Sequence, residues 1–119
     1  MAQSTASLPL FFLFLLFLSG GLVKFGNGQE KEQSWCVAKP STGDGELVAN
    51  IRYACNELQD CSMISQGGSC YEPHTLMNHA SVVMNQYYAV KGRYKWNCNF
   101  TYTGLVALEN PSYSNCKYA

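Results

Sequence analysis

Six cysteines stand at positions 36, 55, 61, 70, 98 and 116 of the 119-residue chain, and none precedes them. An even set of this density in a short chain reads as three disulfides when the chain leaves the reducing cytosol. The competing reading is a metal site. Zinc sites are built from Cys-x2-4-Cys pairs, whereas the closest pair here is Cys55 and Cys61, with five residues between them. Spacing alone leaves the pairing open. Each bridge contributes about 2–4 kcal/mol, which matters because so small a domain has a thin core.

The amino terminus supplies the oxidising context. Residues 1–28 read as a secretory signal. The run Leu8 to Leu18 is apolar throughout, yet shorter than the about 20 residues a membrane span needs. Gly26-Asn27-Gly28 fits a cleavage site that leaves Gln29 as the first mature residue, with Ser19-Gly20-Gly21 as the rival. No Lys or Arg precedes the apolar run, so only the terminal amine charges it. The leader takes all but one phenylalanine, Phe100, and leaves eight Tyr, two Trp and six Cys. Lys24 leaves too, so the eight Lys and Arg of the whole chain fall to seven against eight acidic residues. This balance offers no basic patch for nucleic acid. The end, Cys116-Lys-Tyr-Ala119, carries no apolar tail, so no membrane anchor is expected.

Residues 29–34 are polar and read as a flexible amino terminus to a single domain over 35–119. Lys39 to Gly45 is turn chemistry, with Thr42 or Asp44 as a cap. Leu47, Val48, Ile51, Ala54, Cys55 and Leu58 recur at helical spacing and predict a helix over 46–58. Gly67-Gly68 marks a turn, and Cys70 to Pro73 is extended because a residue before proline avoids helix. A second helix is predicted from Thr75 to Val90, its apolar stripe made by Leu76, Ala80, Val83, Met84 and Tyr87. Gly92 stops it. Asn97 to Tyr102 and Leu105 to Leu108 read as two short strands about the Thr103-Gly104 turn. The class is α+β: a small disulfide-stapled domain with two packed helices, a short antiparallel sheet and long coil.

Several motifs then come together: Trp35-Cys-Val-Ala-Lys-Pro-Ser41, Tyr53-Ala-Cys55, Gln66-Gly-Gly-Ser-Cys-Tyr-Glu-Pro73, His79-Ala-Ser81, Asn85-Gln-Tyr-Tyr88, Cys98-Asn-Phe100 and Asn110-Pro-Ser112. With all six cysteines in register, residues 34–118 resemble the plant X8 domain, also called carbohydrate-binding module family 43. That domain ends plant β-1,3-glucanases and occurs in callose-binding and pollen-allergen-like proteins. The resemblance implies the disulfides Cys36–Cys98, Cys55–Cys61 and Cys70–Cys116, and binding of linear β-1,3-glucan (callose) in the plant cell wall. The chain departs from the family pattern at Met84, where Phe is common, at Asn99 and Asn110, where Asp is usual, and over residues 101–103.

Sugar recognition has a chemistry that can be sought residue by residue. Pyranose C–H faces pack on aromatic rings, and hydroxyls pair with amides. On a helix Tyr87 and Tyr88 stand about 100° apart. Tyr87 is in phase with Ala80 and Val83 and is assigned to the core; Tyr88 is assigned to a sugar platform, with Asn85 and Gln86 supplying polar contacts. Tyr94 and Trp96 alternate in an extended segment, so both rings face one side and either stack on sugar or cover the core. Tyr102 joins the candidate binding residues, and Phe100 is assigned to the core. Trp35 and Tyr71, beside Cys36 and Cys70, are expected to pack on disulfides. His74 and His79 are five apart, not the four of a metal pair on one helix face, and no metal or cofactor is expected. Asn99-Phe-Thr101 is an N-glycosylation sequon.

Catalysis is not expected. A glycosidase needs two carboxylates roughly 5–10 Å apart across a cleft, one of them in an apolar setting. The acids of the mature chain, Glu30, Glu32, Asp44, Glu46, Glu57, Asp60, Glu72 and Glu109, fall in tails, turns and exposed helix faces. The expected function is thus a secreted, monomeric, non-catalytic glucan-binding module of the cell wall, acting alone or beside a separate glucanase or wall protein. The alternative is a secreted structural or signalling protein that binds a protein partner through the same scaffold.

Overall fold

A computed structural model describes residues 33–119. The secretory leader read from residues 1–28, and most of the polar stretch 29–34, lie outside the described residues. Strand β1 (Trp35–Ala38) comes first, then helix α1 (Asp44–Leu58), helix α2 (Leu76–Val90) and strand β2 (Gly104–Ala107). Single 3-10 turns occupy Ser62–Ile64 and Lys95–Cys98. The strands pair antiparallel, with Trp35 opposite Ala107 and Ala38 opposite Gly104. The fold is therefore α+β, with two helices on a two-stranded sheet.

Each helix starts where its first turn finds a partner. In α1 the Gly43 N–H donates to Glu46 Oε1 at 3.2 Å, and Asp44 and Glu46 set negative charge at the positive end of the helix dipole. The helix begins two residues before the predicted start. In α2 the Thr75 hydroxyl oxygen accepts from the Asn78 N–H at 3.1 Å, so Thr75 is the cap and Leu76 the first helical residue. Helix α1 ends at Gln59, left-handed at φ 70°, whose N–H reaches back to the Cys55 carbonyl.

The core follows from α2, which packs on α1 with one side and on β1 with another. Cys36, Ala38, Leu47, Ala80, Met84, Tyr88 and Cys98 form one buried cluster; Cys70, Val82 and Cys116 form a second. Disulfides join Cys36 to Cys98, Cys55 to Cys61, and Cys70 to Cys116. The edge of β1 away from β2 is closed by side chains of α2. Cys36 N–H donates to Asn85 Oδ1 at 3.0 Å, and Ala38 N–H donates to Ser81 Oγ at 3.0 Å. A sheet edge left bare would strand these donors inside the domain.

The strand predicted over Asn97 to Tyr102 is not formed. Lys95–Cys98 coils into the 3-10 turn, and Phe100, Thr101 and Tyr102 are all left-handed, at φ 42°, 54° and 67°. The partner of β2 is β1, far away in sequence, rather than the preceding segment. Thr103 ties the irregular turn: its hydroxyl donates to the Phe100 carbonyl at 2.6 Å and accepts from Asn50 Nδ2 at 2.8 Å, while the Lys39 N–H donates to its carbonyl at 2.8 Å. Gly104 is required by close approach, since a Cβ there would lie 1.7 Å from the Cys98 carbonyl oxygen.

Candidate functional site

The segment that does not form a strand builds one wall of a surface trough. A trough of about 390 Å³ is lined by Ala49, Asn50 and Tyr53 from α1, Tyr87 from α2, Trp96 and Asn97 from the 3-10 turn, and Asn99, Phe100 and Thr101. Its floor is a triad of rings in edge-to-face contact. Tyr53 and Tyr87 have centroids 5.5 Å apart at 66°, Tyr87 and Phe100 5.6 Å at 71°, and Tyr53 and Phe100 6.3 Å at 83°. Such pairs contribute about 0.5–1.5 kcal/mol each beyond their burial, so the floor is rigid before any ligand arrives.

The hydroxyls of Tyr53 and Tyr87 share a hydrogen bond at 3.3 Å. That bond, followed by burial and the nearby acidic groups, pushes the Tyr87 phenol up to about 12. It therefore stays protonated and uncharged at any physiological pH. Lys91 Nζ stands 5.6 Å from the centroid of the Tyr87 ring. On the other side of Tyr87 a smaller trough of about 280 Å³ continues past Gln86, Val90 and Lys91 to Glu57 and Asp60. The Ser62 N–H, donating at 3.0 Å, holds the Asp60 carboxyl below its usual range.

The residues expected to bind sugar divide. Trp96 is 71 % exposed at the rim, stacked on Tyr94 at 4.7 Å with planes 5° apart. Gln86 lines the second trough. Tyr102, 77 % exposed, belongs to neither trough. Tyr88 and Asn85 are corrections: both are only 1 % exposed. The Tyr88 hydroxyl shares a 2.7 Å hydrogen bond with Ser34 Oγ, and Asn85 serves β1 and, through Nδ2, the Ala119 carbonyl at 3.2 Å. The assignment of Tyr87 to the core and Tyr88 to the surface is thus reversed. Ser81 and Asn85 are the reason. They are polar residues turned inward to satisfy β1, and they rotate the buried face of α2 toward Tyr88.

Tyr53, Tyr87, Phe100 and Asn97 were not among the expected site residues. Tyr53 follows Asn50, which α1 buries together with Leu47 and Ala54, so it flanks the buried face of the helix, and its ring partners are set by the tertiary fold rather than by a local pattern. Elsewhere, His79 Nε2 donates to the Tyr71 carbonyl at 2.7 Å, and its ring stacks with His74 at 5.4 Å. Among the described residues no three His, Cys, Asp or Glu side chains gather to hold a metal, and no helix is long and apolar enough to cross a membrane.

Taken together, the features define a small α+β domain, stapled by three disulfides, with an aromatic trough between its two helices and an irregular turn. Residues 34–105 match the X8 domain profile, and the chain belongs to the X8 domain family. It is 48% identical over 85 residues to a glucan endo-1,3-beta-D-glucosidase of Olea europaea; the match takes in 71% of this chain but only 18% of that protein's length. It is 38% identical over 87 residues to the major pollen allergen Ole e 10 of Olea europaea, across 72% of this chain and 71% of the allergen. It is 40% identical over 85 residues to plasmodesmata callose-binding protein 5 of Arabidopsis thaliana, covering 71% of this chain and 47% of that protein.

Proposed function

We propose that this protein is a secreted, non-catalytic module that binds linear β-1,3-glucan of the plant cell wall. The observation that carries the reading is the trough floored by Tyr53, Tyr87 and Phe100, with Trp96 on its rim. Aromatic rings offer the faces that pyranose C–H groups pack against, and Asn97 and Thr101 supply amide and hydroxyl partners for sugar hydroxyls. No charged clamp is needed for a neutral polymer, and the protonated Tyr87 phenol acts as both donor and acceptor.

The tilt of the rings favours the linkage. A β-1,4-glucan is a flat ribbon that suits coplanar platforms, whereas a β-1,3-linked chain turns successive rings out of one plane. Here Tyr53 and Phe100 stand at 66° and 71° to Tyr87. The callose-binding name of the Arabidopsis relative points the same way. The non-catalytic part of the reading is supported by the X8 match and by the glucosidase relative, of which this chain covers only 18%. Secretion rests on the leader expected from residues 1–28.

Calorimetric titration with a soluble linear β-1,3-glucan oligosaccharide, against a β-1,4-linked control, tests the proposal. Saturable binding of the β-1,3 ligand alone is the expected result. Heat from neither ligand, with circular dichroism showing an intact fold, would overturn it and favour a protein partner on the same scaffold.

A further inference from the structure

We propose that Asn99 is an N-glycosylation site, and that the sugar attached there closes the trough to a polymer chain. The consequence for binding rests on the carbohydrate reading above; the modification and the closure do not.

Three observations converge. The sequon Asn99-Phe100-Thr101 lies wholly within the trough lining. Asn99 and Thr101 are exposed, and the Asn99 side-chain amide makes no hydrogen bond to the described residues. Phe100, the central residue, is part of the aromatic floor, so a sugar on Asn99 is anchored one residue from the surface on which a ligand would stack. A trough of about 390 Å³ is near the low end of the roughly 300–1,000 Å³ that holds a small ligand. A tethered sugar and a free chain segment therefore compete for the same space, the tethered one at an effective concentration of about millimolar.

The chemistry constrains the timing. Asn99 Nδ2 attacks C1 of the first N-acetylglucosamine of a lipid-diphosphate-linked oligosaccharide. The Nδ2–C1 bond forms and the C1–O bond to the diphosphate breaks. The lipid diphosphate leaves with the electron pair, and the amide proton passes to a base on the transferase. The transferase acts on an extended sequon, and the left-handed residues that follow Asn99 are not extended. Transfer thus precedes closure of the turn. The bridge beside it, Cys36–Cys98, spans 62 residues and forms only after both cysteines have been made.

The full chain would be secreted from plant cells with and without an inhibitor of lipid-linked oligosaccharide synthesis, giving the same polypeptide in two states. Peptide mass spectrometry would read Asn99 occupancy. Hydroxyl-radical footprinting would read exposure of Tyr53 and Trp96, and calorimetry would read binding of a linear β-1,3-glucan oligosaccharide. Expected are an occupied Asn99, protection of both rings in the glycoprotein, and binding at least tenfold weaker than that of the unmodified chain. An unoccupied Asn99 overturns the proposal. So does an occupied Asn99 with both rings labelled as strongly as in the unmodified chain. If neither form binds glucan, the carbohydrate reading falls, while occupancy and footprinting still decide whether the sugar closes the trough.

Discussion

Tyr87 and Tyr88 are adjacent and chemically identical, yet their consequences on substitution should differ in kind. Tyr87→Ala removes a floor ring and its two edge-to-face contacts, and we expect glucan affinity to fall at least tenfold and stability to fall by about 1–3 kcal/mol. Tyr88→Ala hollows the core at a site 1 % exposed, and loss of a large buried aromatic costs about 3–5 kcal/mol. Calorimetry and thermal melts on the two variants check both, and weak binding with a stable fold in Tyr88→Ala would refute the assignment. The same scale holds the strained turn. Tyr102 is left-handed at φ 67° and 77 % exposed, so it has strain to lose and few contacts. Left-handed backbone costs a non-glycine residue about 1–2 kcal/mol, partly offset by the entropy of glycine. Tyr102→Gly should therefore raise stability by about 0.5–1 kcal/mol in a urea titration and leave glucan binding unchanged. The sequence offered no way to separate Tyr87 from Tyr88. Both fit an apolar stripe, and the choice was made by Asn85 and Ser81, whose inward turn depends on a strand some 45 residues distant.

At the scale of elements, α2 is both a helix and the second edge partner of β1. Asn85→Leu keeps the branched heavy-atom shape but leaves the Cys36 N–H unpaired inside the domain. A buried donor left without a partner costs about 1–3 kcal/mol, and a urea midpoint equal to that of the parent would show that β1 does not need this bond. Gly104→Ala places a methyl against the Cys98 carbonyl and should break the β1–β2 register. Both helices were legible in the sequence to within two residues, because their periodicity and the glycine after α2 are local signals. The sheet was legible as a class but not as a pairing. Asn97 to Tyr102 alternates as a strand does, but Thr103 holds the segment in a turn through its bond to the Phe100 carbonyl and through Asn50 and Lys39 from distant parts of the chain. No local pattern records those two distant partners. The trough was hidden with it, since Phe100 and Tyr53 meet only once that turn has formed.

For the whole molecule, two phenols tie stability to pH. Burial, and then the neighbouring Tyr113, raise the Tyr118 phenol to about 12, and Tyr87 reaches about 12 beside Tyr53. Between about pH 10 and 12 the native state keeps protons that the unfolded chain has lost, so stability falls as pH rises through that window. Below about pH 10 the contribution is fully present. Urea midpoints should therefore drop between about pH 9 and about pH 11, and the drop should be smaller in Tyr118→Phe. An equal drop in both would mean that the Tyr118 phenol is not a source of the alkaline loss. The disulfide-stapled, two-helix plan of the molecule followed from cysteine count, composition and helical spacing, which survive without knowledge of contacts.

The two tryptophans of this domain sit in opposite surroundings. Trp35 is 5 % exposed and adjoins a half-cystine that quenches indole emission by electron transfer, whereas Trp96 is 71 % exposed at the rim of the trough. The intrinsic light of the protein should accordingly come almost wholly from Trp96, at the red wavelengths of a wet indole. The molecule carries its own dye at the one place where a ligand would settle. A chain laid across the trough would move that emission to the blue, and reducing the Cys36–Cys98 bridge would light a second, buried lamp.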